Sequence, residues 1–206
     1  MRVGVICDGD AEVEVLKVIL GKLSLAEIEL LGAVYADMQP SAPNAQVVFA
    51  ARSRIEIWRA RRVNKIVVVI DREQSSMCPG QRAQELRAAF HGSGFTEVEV
   101  VVKDRKLENW LLADAEGVST LKGFSISDSL ARRVRNAGAD SIGDAQAELE
   151  RASSKGYGKR RDAVRIAQVS SIAVIEERSR SFRRFLRHVG HPSYQTQSRH
   201  FVSATS

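Results

Sequence analysis

Lys65-Ile66-Val67-Val68-Val69-Ile70-Asp71-Arg72-Glu73 is the stretch that decides the fold. Five apolar residues, Ile66 to Ile70, run without a polar break into two carboxylates spaced one residue apart. Such a run, bounded by polar residues, reads as a strand buried on both faces, as in a parallel sheet. In an open α/β sheet, ligands sit just outside the carboxyl ends of such strands. Asp71 and Glu73 therefore stand where chemistry is expected. Two carboxylates at i and i+2 can converge on one hard cation.

Upstream, residues 3–7 read as a first strand, closed by the turn Asp8-Gly9-Asp10. Residues 12–23 place Val13, Leu16, Leu20 and Leu23 at helical spacing. Residues 28–35 read as a second strand, 39–44 as a loop with two prolines, and 45–63 as a long basic helix. Downstream, 81–90 read as a helix, 97–102 as a further strand and 107–112 as a short helix. The alternation predicts an α/β fold: a mainly parallel sheet with helices on both faces. Beyond it, residues 126–136, 144–152, 160–177 and 181–189 read as helices. The expected organisation is an α/β core over 1–115 and a helical C-terminal segment over 116–190 packed on it. A polar tail over 191–206 is expected to be loosely packed.

With 206 residues, 44% of them hydrophobic, the chain is long enough for a real core and is not globally disordered. The net charge of +6 is unevenly spread. From residue 151 to 206 there are 12 Lys and Arg against 3 Asp and Glu, and the rest of the chain is slightly acidic. This asymmetry fits an anionic partner gripped by the C-terminal segment; a solvated basic helix is the plainer alternative. Cys7 and Cys78 have neither metal-site spacing nor a disulfide framework. The N-terminus opens directly into a strand, without a signal-peptide pattern or a membrane-length apolar run, so a cytoplasmic protein is expected.

Three acidic stations follow the strands: Asp8-Gly9-Asp10-Ala11-Glu12, Asp71-Arg72-Glu73, and Glu108-Asn109-Trp110-Leu111-Leu112-Ala113-Asp114. Later come Gly156-Tyr157-Gly158-Lys159 and Ser179-Arg180-Ser181-Phe182-Arg183-Arg184-Phe185-Leu186. In this order, over roughly residues 1–189, they resemble the small stand-alone bacterial Toprim-like proteins of unassigned function. These are related to the Toprim domain of OLD (overcoming lysogenization defect) nucleases. Toprim domains generally carry Glu-Gly and Asp-x-Asp where this chain has Asp8-Gly9 and Asp71-x-Glu73. Both changes keep the charge and alter the reach by one methylene.

The carboxylates Asp8, Glu12, Asp71, Glu73 and Glu108 form the candidate metal set. Clustered carboxylates stay ionised together only beside a compensating cation, and oxygen-only ligation suits Mg²⁺ or Mn²⁺. The resemblance implies that Asp71 and Glu73 ligate metal, that Asp8 is a ligand or general acid/base, and that Glu108 completes a second ion site. Lys103 and Arg105 are expected to meet the scissile phosphate. Plainer roles stay open: a turn for Asp8 and Asp10, a solvated loop charge for Glu73, a first-turn helix charge for Glu108. Tyr157, Lys159, Arg160 and Arg161 form a candidate phosphate loop, with Tyr157 stacking on a base. Arg180, Arg183, Arg184 and Arg187, at i, i+3, i+4 and i+7, form a candidate nucleic-acid face beside the apolar Phe182, Phe185, Leu186 and Val189. The resemblance implies a metal-dependent nuclease in bacterial defence or genome maintenance and leaves a partner ATPase open. The alternatives are a non-catalytic module that binds nucleic acid or protein, and a small-molecule phosphate enzyme.

Overall fold

The computed structural model describes residues 1–73 and 76–191; the polar tail beyond His191 lies outside them. Four strands form one sheet: β1 (Arg2–Cys7), β2 (Glu29–Tyr35), β3 (Lys65–Asp71) and β4 (Val98–Lys103). Their order is β2-β1-β3-β4 and every pairing is parallel. The chain therefore reverses its direction of travel between β1 and β3, and the crevice at their carboxyl ends is a topological switch point. Helices α1 (Asp10–Gly21), α2 (Asn44–Ala60) and α3 (Pro79–Gly92) make the crossovers.

Each strand residue faces one of two cores, because side chains alternate along a strand. Val67 and Val69 join a core with α1, whereas Ile66, Val68 and Ile70 join one with α2 and α3. This explains why the decisive run has no polar break. At Gly4 the ring of Trp58, from α2, lies directly on the strand: a Cβ there would come within 2.9 Å of it.

The α1 side is continuous with the C-terminal helices. These are α4 (Leu107–Leu112), α5 (Ala115–Ser119), α6 (Asp128–Ala137), α7 (Ala145–Ala152), α8 (Lys159–Val169), α9 (Ile172–Arg178) and α10 (Arg180–Val189). Trp110 anchors the join. Its ring meets Phe182 edge-on at 5.1 Å and Phe185 at 5.4 Å, and its Nε1–H donates to Ser181 Oγ at 2.7 Å. Burying rings of this size stabilises by roughly 2–3 kcal/mol each.

One expected helix is broken. The 160–177 stretch is two helices, parted at Ser170 and Ser171. The cause is tertiary: Asp114 Oδ2 accepts the Ser171 backbone N–H at 2.8 Å, which starts α9 from outside. The same side chain accepts from Gly117 and caps α5, a short helix that periodicity did not reveal.

Candidate metal centre at the switch point

The register of the sheet builds the site. Cys7 lies opposite Val69, and Asp71 lies opposite Lys103. Asp8, the next residue after β1, extends the ladder with its side chain, because its Oδ2 accepts the Asp71 backbone N–H at 2.7 Å. Gly9 then turns the chain into α1, whose first turn brings Glu12 back over the strand ends. Asp8, Glu12 and Asp71 each offer a carboxylate oxygen, all within 4.8 Å of one another, and could hold a metal ion.

Lys103 closes this group from the end of β4. Its Nζ lies 2.5 Å from Glu12 Oε2, 2.9 Å from Asp71 Oδ1 and 3.3 Å from Asp8 Oδ1. The ammonium is fully buried. Burial alone would pull its pKa down; Asp71, Asp8 and Glu12 together outweigh that and raise it. Burial, together with repulsion from Asp71 and Asp8, pushes Glu12 up against the pull of Lys103. Asp71 is also raised, by burial first and then by Asp8, again against Lys103. Even so, the oxygens outnumber the donors. Among the described residues, Glu12 Oε1 is buried without a partner, and no hydrogen bond of good geometry reaches Asp71 Oδ1 despite the nearby ammonium.

Several sequence expectations need correcting. Lys103 does not present its charge to a phosphate; it is enclosed by carboxylates. Glu73 stands apart from the three. The Arg105 carbonyl accepts both the Arg72 and the Glu73 N–H, at 3.0 and 3.1 Å. This turns Glu73 into a left-handed conformation (φ 52°) and leaves it exposed. It lines a cleft of about 640 Å³ that reaches Asp71 and Arg72. Glu108 is fully buried in a neighbouring group. Its Oε1 lies 3.5 Å from the Tyr157 hydroxyl and 3.7 Å from Lys159 Nζ, and its Oε2 has no partner among the described residues. Tyr157 is itself buried and so cannot stack on a base; burial and Glu108 raise its hydroxyl pKa.

The arginines divide by partner. Arg160 pairs with Asp10 at 2.5 Å on the surface. Arg161 is bound to Asp162. Arg180 reaches Asp104 at 3.3 Å, and Arg183 donates to the carbonyls that end α9. Arg184 and Arg187 are exposed and border a groove with Lys65 and Arg87. Arg105, at φ 99°, holds a strained backbone beside the site, and its buried Nε has no partner among the described residues.

Two acids that the sequence pattern left unmarked hold this region together. Asp104 takes Arg72 at 3.1 Å as well as Arg180. Asp162 takes Arg161 and Arg165. The i, i+3 spacing of Asp162 and Arg165 in a first helical turn was the available signal for the second. Against family models, curated proteins and solved structures, the chain has no match.

Proposed function

We propose that this protein is a metal-dependent phosphodiesterase of Toprim type that acts on nucleic acid. The observation that carries the reading is the trio Asp8, Glu12 and Asp71 at the switch point, half-buried at Asp8 and buried at the other two, with Glu12 Oε1 left without a hydrogen-bond partner among the described residues. The donor set is all oxygen. The adjacent Cys7 thiol is directed at the Gly9 and Val34 carbonyls, at 3.5 and 3.6 Å, and is not among the clustered ligand atoms. Mg²⁺ or Mn²⁺ fits such donors.

In this reading Asp8, Glu12 and Asp71 hold the ion, and Asp8 doubles as a ligand or general acid/base. When bound, the ion supplies Lewis acidity toward a phosphate oxygen and acidifies water. Lys103 neutralises part of the carboxylate charge and fixes the spacing. Glu108, with its unpartnered Oε2, is the candidate for a second ion. Arg72, Arg105 and Lys159 border the region and offer cations to the phosphodiester.

A second reading is a non-catalytic module that binds nucleic acid or a partner protein. One observation favours it: the Lys103 ammonium already lies against all three carboxylates, as a built-in cation. Labelled single- and double-stranded DNA and RNA, incubated with Mg²⁺, Mn²⁺ or EDTA beside Asp71→Asn, separate the two. Metal-dependent cleavage lost in the variant supports the nuclease. Binding without cleavage, equal in EDTA and in the variant, supports the module.

A further inference from the structure

A groove of about 570 Å³ opens between the turns at 122–124 and 153–155 and the start of α8. Its cations are Lys122, Lys155, Arg161 and Arg165, and Asp162 is the one carboxylate among the described residues that line it. Asp162 does not face solvent. Its side chain is 1% exposed, against 62% for Arg161 and 41% for Arg165. Its Oδ2 accepts the Gly158 N–H at 2.8 Å and Arg161 Nη2 at 2.6 Å; its Oδ1 accepts Arg161 Nε at 2.9 Å and Arg165 Nη1 at 3.0 Å. The buried acid thus fixes two guanidinium groups while the groove presents positive charge. A pre-set guanidinium loses less entropy on meeting an anion.

The backbone that carries the two lysines is held as well. Phe124 and Ser153 form an antiparallel bridge. Ser154 N–H donates to Gly123 O at 2.8 Å, and Ser125 N–H to Ala152 O at 2.9 Å. Gly123 sits at φ +92°, where a side chain would be strained. This clasp sets Lys122 and Lys155 on adjoining turns, with Ser154 beside them in the groove lining as a neutral donor.

We infer that this groove binds successive phosphates of a polynucleotide and guides the strand toward the carboxylates. The inference rests on the nuclease reading and extends it to a site outside the metal centre. The link is the segment 156–159. Tyr157 and Lys159 reach Glu108, while Asp162 accepts the Gly158 N–H and Arg161 donates to Gly156 O at 3.1 Å. One short segment therefore contacts Glu108 on one side and the Asp162 and Arg161 side chains of the groove on the other. Four spread cations suit a chain with one charge per nucleotide; a free nucleotide is better served by a closed, apolar pocket for its base.

The test is the double variant K122E/K155E in the full chain, with K122A/K155A as a milder partner. Neither lysine belongs to the core or to the metal centre. Anisotropy with a labelled single-stranded oligonucleotide of about 20 nucleotides, titrated over salt, reads the affinity and the number of phosphates neutralised. The expected result is at least about a tenfold loss of affinity and a salt slope smaller by about 1.4, the change for two phosphates left without their lysines. The Mn²⁺-induced rise in melting temperature stays as in the wild type. If the wild type binds or cleaves the oligonucleotide and the double variant matches its affinity and slope, the groove assignment is overturned and the nuclease reading stands. If the wild type neither binds nor cleaves any polynucleotide, both fall. If the variant instead loses binding of a nucleoside triphosphate or inorganic phosphate and keeps the oligonucleotide, the polynucleotide assignment is overturned.

Discussion

Lys103→Met removes the ammonium from the carboxylate group and keeps most of the side-chain volume. Leaving a buried charge without its partner costs roughly 3–5 kcal/mol. For a chain of this size that lowers the melting temperature by about 6–20 °C. The loss depends on pH with a definite sign. Glu12 and Asp71 are held above their ordinary range, by burial first, to about 8 and about 6. A carboxyl group with a raised folded pKa binds more protons folded than unfolded, so stability is greatest below the ordinary carboxylate range and falls as pH rises through that window. Lys103 limits the fall in the wild type. Without it the carboxyl groups stay neutral to higher pH, and the penalty for ionising them is larger. Thermal melts at about pH 5 and about pH 8 therefore diverge: a small gap between variant and wild type at the lower pH, the full gap at the higher. Millimolar Mn²⁺ closes part of the gap at the higher pH by refilling the site with positive charge; binding at a hundredfold excess over Kd is worth about 2.7 kcal/mol. A variant that melts within about 2 °C of the wild type at both pH values would mean that Lys103 does not compensate these carboxylates.

Divalent-ion binding should displace protons from Glu12 and Asp71. Mn²⁺ affinity, followed by calorimetry, is expected to rise between about pH 6 and pH 8 with proton release, and a flat profile counts against the trio as ligands. Asp162→Asn removes the charge that fixes two arginines and is expected to cost roughly 1–2 kcal/mol in urea denaturation near neutral pH. Arg161 first, with Arg165 and the Gly158 N–H, holds the Asp162 carboxyl down at about 2. Its contribution is thus present above the ordinary aspartate range and is lost as pH falls toward that value. Gly4→Ala drives a methyl into Trp58 and should destabilise by about 1–3 kcal/mol, read as a lower melting temperature. Tyr157→Phe should leave oligonucleotide affinity unchanged, since the hydroxyl is buried against Glu108; a large loss would show that the hydroxyl meets the ligand.

The sheet was legible because its strands are short apolar runs punctuated by acids and glycine. Ile66 to Ile70 can be nothing but a strand once it must bury both faces. Its carboxyl end then places Asp71, and the matching end of β1 places Asp8. What the sequence did not disclose depends on contacts between distant residues. Glu73 lies two residues from Asp71 and yet stands apart from it, because a carbonyl from residue 105 takes its N–H. Lys103 reads as a strand-end cation turned toward a phosphate until register sets it opposite Asp71. Tyr157 sits between glycines in a basic stretch, which suggests an exposed loop; a hydrogen bond from its N–H to Glu150 draws it inward. Propensity and spacing carry no signal of such long-range partners.

Charge balance bears on what the switch-point group could hold. A structural ion pair needs one carboxylate for one ammonium, and even that is weak as a stabilising device when buried. Here three carboxylates surround one ammonium. With all groups ionised, two negative charges remain in a buried place, which burial resists by raising Glu12 and Asp71. Protons can remove that excess, and so can one divalent cation, which brings the sum to zero. The two outcomes use the same oxygens, so a proton and a metal ion compete for them. A site made only to be stable is better served by losing the surplus acids to apolar residues. Their presence is the physical reason to look for a divalent ion here, and the competition with protons is what makes the search quantitative.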